Sequence, residues 1–175
     1  MSAKDFNDMY EEFMLKLIKL IPEEDGFFMM KDVFTMVRKL NSSLPAIWWI
    51  NMIHPFSKQI FEKDERFFLE NKKFDNILKE KCNGDLAGIE AFNRRWGGAN
   101  KKTHESIWNY FQNLLILSYE YAGIKVSFDP DLLKEVYNSG PDYLPSKYSQ
   151  IGHGYKGEPI MDILKKRFVK KINGR

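Results

Sequence analysis

Thr103–Tyr121, THESIWNYFQNLLILSYEY, is the stretch whose reading decides the fold. Ile107, Trp108, Phe111, Leu114, Leu115, Leu117, Ser118 and Tyr121 recur at steps of three and four. That spacing gathers them on one broad face of an α-helix. Asn100 or Thr103 can cap its start, and Glu105 suits the positive end of the helix dipole. Gly123 stands where a left-handed residue ends a helix. A face this wide and this rich in large side chains predicts the central core helix of an all-α domain.

The same period extends outward. Phe6, Met9, Tyr10, Phe13, Leu17 and Leu20 predict a first amphipathic helix that ends near Pro22. Phe28, Met29, Val33, Phe34, Val37 and Leu40 predict a second, from about Asp25 to Leu40, paired with the first as a hairpin and broken by Asn41-Ser42-Ser43. Ser43 as cap and Pro45 in the first turn predict a third through Ile47, Trp48, Ile50, Met52 and Ile53, interrupted at Pro55. The apolar pattern continues through Phe56, Ile60, Phe61, Phe67, Phe68 and Leu69, with a further short helix ending by Gly84. Asp129-Pro130 opens another short helix carrying Leu132, Leu133, Val136 and Tyr137. Strand evidence is confined to the alternation Ile124-Lys125-Val126-Ser127-Phe128, too short and too isolated for a sheet.

The expected architecture is therefore a compact, irregular helical bundle over residues 1–137, followed by an extended, partly irregular arm and a basic amphipathic tail helix over 138–175. Residues 138–159 gather Gly, Pro, Ser and Tyr without a period, whereas Ile160, Ile163, Leu164 and Phe168 fall on one side of a last helix. The length of 175 residues suits one core, and a domain of that size buries roughly 70% of its unfolded surface. No apolar run approaches the ~20 residues that a bilayer span requires. The start Met-Ser-Ala-Lys-Asp does not read as a secretion leader, and the single cysteine, Cys82, fits a reducing compartment. Cytoplasm or nucleus is the expected location.

Charge is unevenly placed. Residues 156–175 hold seven basic residues against Glu158 and Asp162, a net +5 that leaves −2 for the rest of a chain of total charge +3. Two basic groups are candidates for phosphate contacts: Arg94, Arg95, Lys101 and Lys102 around Trp96, and Lys165, Lys166, Arg167, Lys170 and Lys171 in the tail. Trp96 reads more simply as a core plug. A protein acceptor fits the tail as well, because Ile160, Leu164 and Phe168 can dock in a partner's groove, with Tyr143, Tyr148 and Tyr155 of the arm adding rigid aromatic contact.

Catalytic and metal chemistry find little support. His54, His104 and His153 share no short ligand motif, so no metal or other cofactor is expected. Lys-Cys-Asn-Gly around Cys82 reads as a helix end, and no nucleophile elbow or phosphate-cradling glycine loop is present. Glu62, Asp64, Glu65 and Glu70 are interleaved with Lys58, Lys63, Arg66 and Lys72, the pattern of a solvated face. No catalytic residue is assigned and the chain is not read as an enzyme.

The element Lys63-Asp64-Glu65-Arg66-Phe67-Phe68-Leu69-Glu70, then Phe92 to Trp96, then Asn100-Lys101-Lys102 leading into Ile107 to Leu114, resembles small helical proteins of nucleocytoplasmic large DNA viruses, especially those of algae. The resemblance covers roughly residues 6–122. It implies a helical fold and a viral origin and carries over no functional residue. A small virion component, such as a minor capsid protein contacting larger structural proteins through its arm, is what it leads one to expect. The alternative is a nucleic-acid-binding accessory protein.

Overall fold

The computed structural model describes residues 3–23, 25–66, 95–126 and 129–138. All regular elements among them are helical. α1 spans Ala3–Leu20, α2 Asp25–Leu40, α3 Leu44–Ile53, α4 Ser57–Phe61, α5 Lys101–Tyr121 and α6 Pro130–Asn138, with a 3₁₀ turn at His54–Phe56 between α3 and α4.

α5 organises the rest. α1, α3 and α4 all lie against it, and its face of Ile107, Trp108, Phe111, Leu114, Leu115, Ser118 and Tyr119 is buried. Its start is fixed by Asn100, whose side-chain oxygen accepts the Thr103 backbone N–H at 2.9 Å. Of the two caps that the sequence offers, Asn100 is the one used, and Thr103 is its partner. Its end is a Schellman turn: Gly123, at φ 87°, donates to the Glu120 carbonyl and Ile124 donates to the Tyr119 carbonyl. Only glycine takes that backbone angle without a steric penalty.

α1 buries Phe6, Tyr10, Phe13, Met14 and Leu17, and its rings make the aromatic centre of the core. Phe13 meets Phe111 edge-on at 5.4 Å, and Trp49 of α3 lies between Tyr10 at 5.6 Å and Phe111 at 5.7 Å. Such ring pairs add about 0.5–1.5 kcal/mol each beyond the area they bury. α1 and α2 form the expected hairpin, tied by Arg38 to Glu11 at 3.3 Å and by the Asn7 amide to the Ser42 carbonyl at 2.9 Å.

α3 opens without a side-chain cap from Ser43, contrary to expectation. Asn41 intervenes: its side-chain oxygen accepts the Ser43 N–H at 2.9 Å, which holds Ser43 in a helical rather than an extended backbone. Pro55 interrupts the helix as its sequence predicts, through a 3₁₀ turn in which its missing N–H falls in the first turn. α4 then stops at Lys63, which adopts φ 52°. Residues Ile124–Val126 form no strand. Val126 is instead buried in the core, and Asp129 caps α6 by accepting the Asp131 and Leu132 N–H groups. Val136 of α6 is sealed, and Tyr137 stacks on Phe61 at 5.0 Å.

The expected apolar face of α2 holds at Phe34 and Val37, with Val33 and Leu40 half-buried, and fails only in its first turns. Phe27, Phe34 and Val37 are the buried positions, while Phe28 and Met29 point outward. Phe27-Phe28-Met29-Met30 is a run of four apolar residues, and such a run does not reveal which member faces the core.

Candidate functional site

Among the described residues two polar clusters hold the histidines His54 and His104, and apolar residues are exposed elsewhere, on α2. The first polar cluster lies where the 3₁₀ turn crosses α5. Nδ1 of His54 is 2.6 Å from the Tyr119 hydroxyl, and both residues are sealed, 1% and 0% exposed. Burial pushes the Tyr119 phenol far above its ordinary value of 10.0, and a hydrogen bond with buried Ser57 opposes that shift. A serine, a tyrosine and a histidine in one chain of hydrogen bonds have the residue types of proton-transfer chemistry. With no solvent-facing atom to meet a substrate, their arrangement serves the core: it lets the polar atoms of the interrupted helix be buried without loss of partners.

The second cluster frames the start of α5. The His104 ring stacks on Trp96 at 4.2 Å and nearly parallel, and its Nε2 is 2.6 Å from the Trp96 carbonyl oxygen. Trp96 meets Trp108 edge-on at 5.5 Å, so the ring reads as the core plug that its sequence suggests. Glu65 reaches the other His104 nitrogen at 3.5 Å, Lys63 pairs with Glu105 at 2.6 Å, and Arg95 pairs with Glu23. The Glu105 carboxyl is held below its ordinary value, first by the Lys63 hydrogen bond and charge and then by Lys101. These contacts fasten the segments before α5 to its first turn.

Among the sequence-derived candidates near this cluster, Arg95 is engaged by Glu23, and Lys101 and Lys102 are exposed side by side in the first turn of α5. Arg94 lies outside the described residues. So do the tail candidates Ile160, Leu164, Phe168, Lys165, Lys166, Arg167, Lys170 and Lys171, the arm tyrosines Tyr143, Tyr148 and Tyr155, and Cys82. No group of three or more His, Cys, Asp or Glu among the described residues could hold a metal ion. No helix among them is long and apolar enough to cross a membrane.

The third feature was not legible as a site. Phe28, Met29 and Met30 are 47%, 44% and 40% exposed at the start of α2, in a bundle that buries most of its large apolar side chains. The signal available in the sequence was only the length of the apolar run. Comparison with protein-family models, with curated proteins and with solved structures finds no match to this chain.

Proposed function

We propose that this chain is a non-enzymatic protein-interaction protein, with the helical bundle as scaffold and residues 138–175 as the part that contacts larger neighbouring proteins. The observation that carries this reading is the exposure of Phe28 and Met29 on one stripe of α2. Bulky apolar residues clustered on a surface are the usual mark of a protein contact, and methionine adapts its shape to different partners. The placement in a virion, as a minor capsid or similar component inside an infected host cell, is supported by the sequence resemblance over roughly residues 6–122 alone.

One observation favours the nucleic-acid reading, the adjacent exposed lysines Lys101 and Lys102. Against it, Arg95 is neutralised by Glu23, and Trp96 is packed on both His104 and Trp108, which leaves no face for a base. The two readings are separated by titrating the full chain with duplex DNA, single-stranded DNA and RNA across a salt series, with a chain truncated after Pro159 as control. The protein reading expects no retention near physiological salt. Tight binding whose logarithm falls steeply with the logarithm of salt, lost on truncation, would overturn it.

A further inference from the structure

The exposed face of α2 has a charge pattern of its own. Asp25, Phe28, Met29, Asp32 and Met36 follow one another at steps of three, one, three and four, which places them on a single stripe of the helix. Asp25 and Asp32 are exposed and neither makes an ion pair among the described residues, so two free carboxylates bracket the two exposed apolar side chains. Lys39 follows on the same stripe beyond Met36, which makes the stripe acidic at its N-terminal half and basic at its end. A ligand that fits it has a short apolar ridge with basic groups that lie toward Asp25 and Asp32.

This chain contains such a segment. Ile160, Ile163, Leu164 and Phe168 supply the ridge, and Lys165, Lys166, Arg167, Lys170 and Lys171 supply the charge. The segment lies outside the described residues, beyond the end of α6 at Asn138. The 20 residues from 139 to 158 reach at most about 70 Å, against a radius of gyration of about 14 Å for a domain of this size. The tail therefore reaches any face of the bundle.

We propose that the Phe28/Met29 face of α2 is the docking site for this chain's own basic tail, residues 160–171. The inference rests on the reading of that tail as a protein-docking helix. Docked, the tail covers Phe28 and Met29; released, both surfaces are offered together to a partner protein.

The test is zero-length carbodiimide cross-linking of the full chain at high dilution, followed by mass spectrometry of the monomer band. Asp25 or Asp32 is expected to join Lys165, Lys166, Lys170 or Lys171, and the link is expected to disappear in Phe28→Ser/Met29→Ser, which removes no reactive group. The exposed pairs Lys63–Glu105 and Lys4–Asp8 report in both proteins that the reaction and the fold are intact. Recovery of those two links without any tail link would overturn the proposal. A tail link confined to the dimer band would overturn it in favour of a second copy. A link unchanged in the serine variant would also overturn it, since charge alone would then account for the contact. No nucleic acid is present in this assay, so its outcome is separate from that of the salt series.

Discussion

Tyr119→Phe isolates the buried hydrogen-bond chain from the packing around it. The substitution keeps the ring in a fully sealed site and removes only the hydroxyl that lies 2.6 Å from His54 and bonds to Ser57. The sealed site then leaves the His54 ring without its Tyr119 partner. A buried group left without its partner costs about 1–3 kcal/mol, and for a chain of this length each kcal/mol lowers the melting temperature by roughly 2–4 °C. The expected fall is therefore roughly 2–12 °C at neutral pH, with secondary structure unchanged by circular dichroism. The sign of the pH dependence follows from the raised phenol. Tyr119 binds its proton more tightly folded than unfolded, so its contribution is complete below pH 10 and is lost as pH rises above the unfolded value. Between pH 10 and 11 the parent should lose up to about 1 kcal/mol relative to the phenylalanine variant. The gap between the two proteins thus narrows at alkaline pH. Equal stability at neutral pH, or a gap that widens above pH 10, would refute the reasoning.

Other perturbations probe the remaining joints. Leu114→Ala on the sealed face of α5 should cost about 2–5 kcal/mol in urea unfolding, the range for a large aliphatic side chain removed from a core. Asn100→Ala removes the cap on Thr103 and should cost about 0.5–2 kcal/mol, whereas Asn100→Asp keeps an acceptor and should be nearly silent by the same measurement. Lys63 holds a left-handed backbone, so Lys63→Val should lower the melting temperature further than Lys63→Gly although both lose the same contact with Glu105.

What the sequence reveals and what it hides divide along physical lines. α5 was legible almost to the residue, because nineteen or more residues of one period with Asn100 before them and Gly123 after them leave no competing arrangement. The hairpin of α1 and α2, the break at Pro55 and the opening of α6 at Asp129-Pro130 are also local signals. The later turns of the α2 face were legible at Phe34 and Val37, but its first turn was not, since Phe27 to Met30 is uniformly apolar and only packing against α1 and α3 selects Phe27. Ser43 was assigned a cap that Asn41 forestalls by bonding the Ser43 N–H first. His54 shares no short motif with another histidine, so its sequence neighbours say nothing of its partner. Its bond to Tyr119 joins positions 65 apart, and no local pattern announces such a pair. The arm tyrosines and tail lysines, which carry the partner reading, lie outside the described residues.

Lys101–Tyr121 is the helix on which the bundle is built, with His54 bonded to its Tyr119 and its His104 bonded to the Trp96 carbonyl. Amide hydrogen exchange of the full chain, resolved by residue, tests this most directly. The slowest amides are expected between Ile107 and Tyr119, with those of α2 faster, since α1, α3 and α4 pack on α5 and α2 does not pack extensively on it. Exchange from α5 as fast as from α2 would contradict the account.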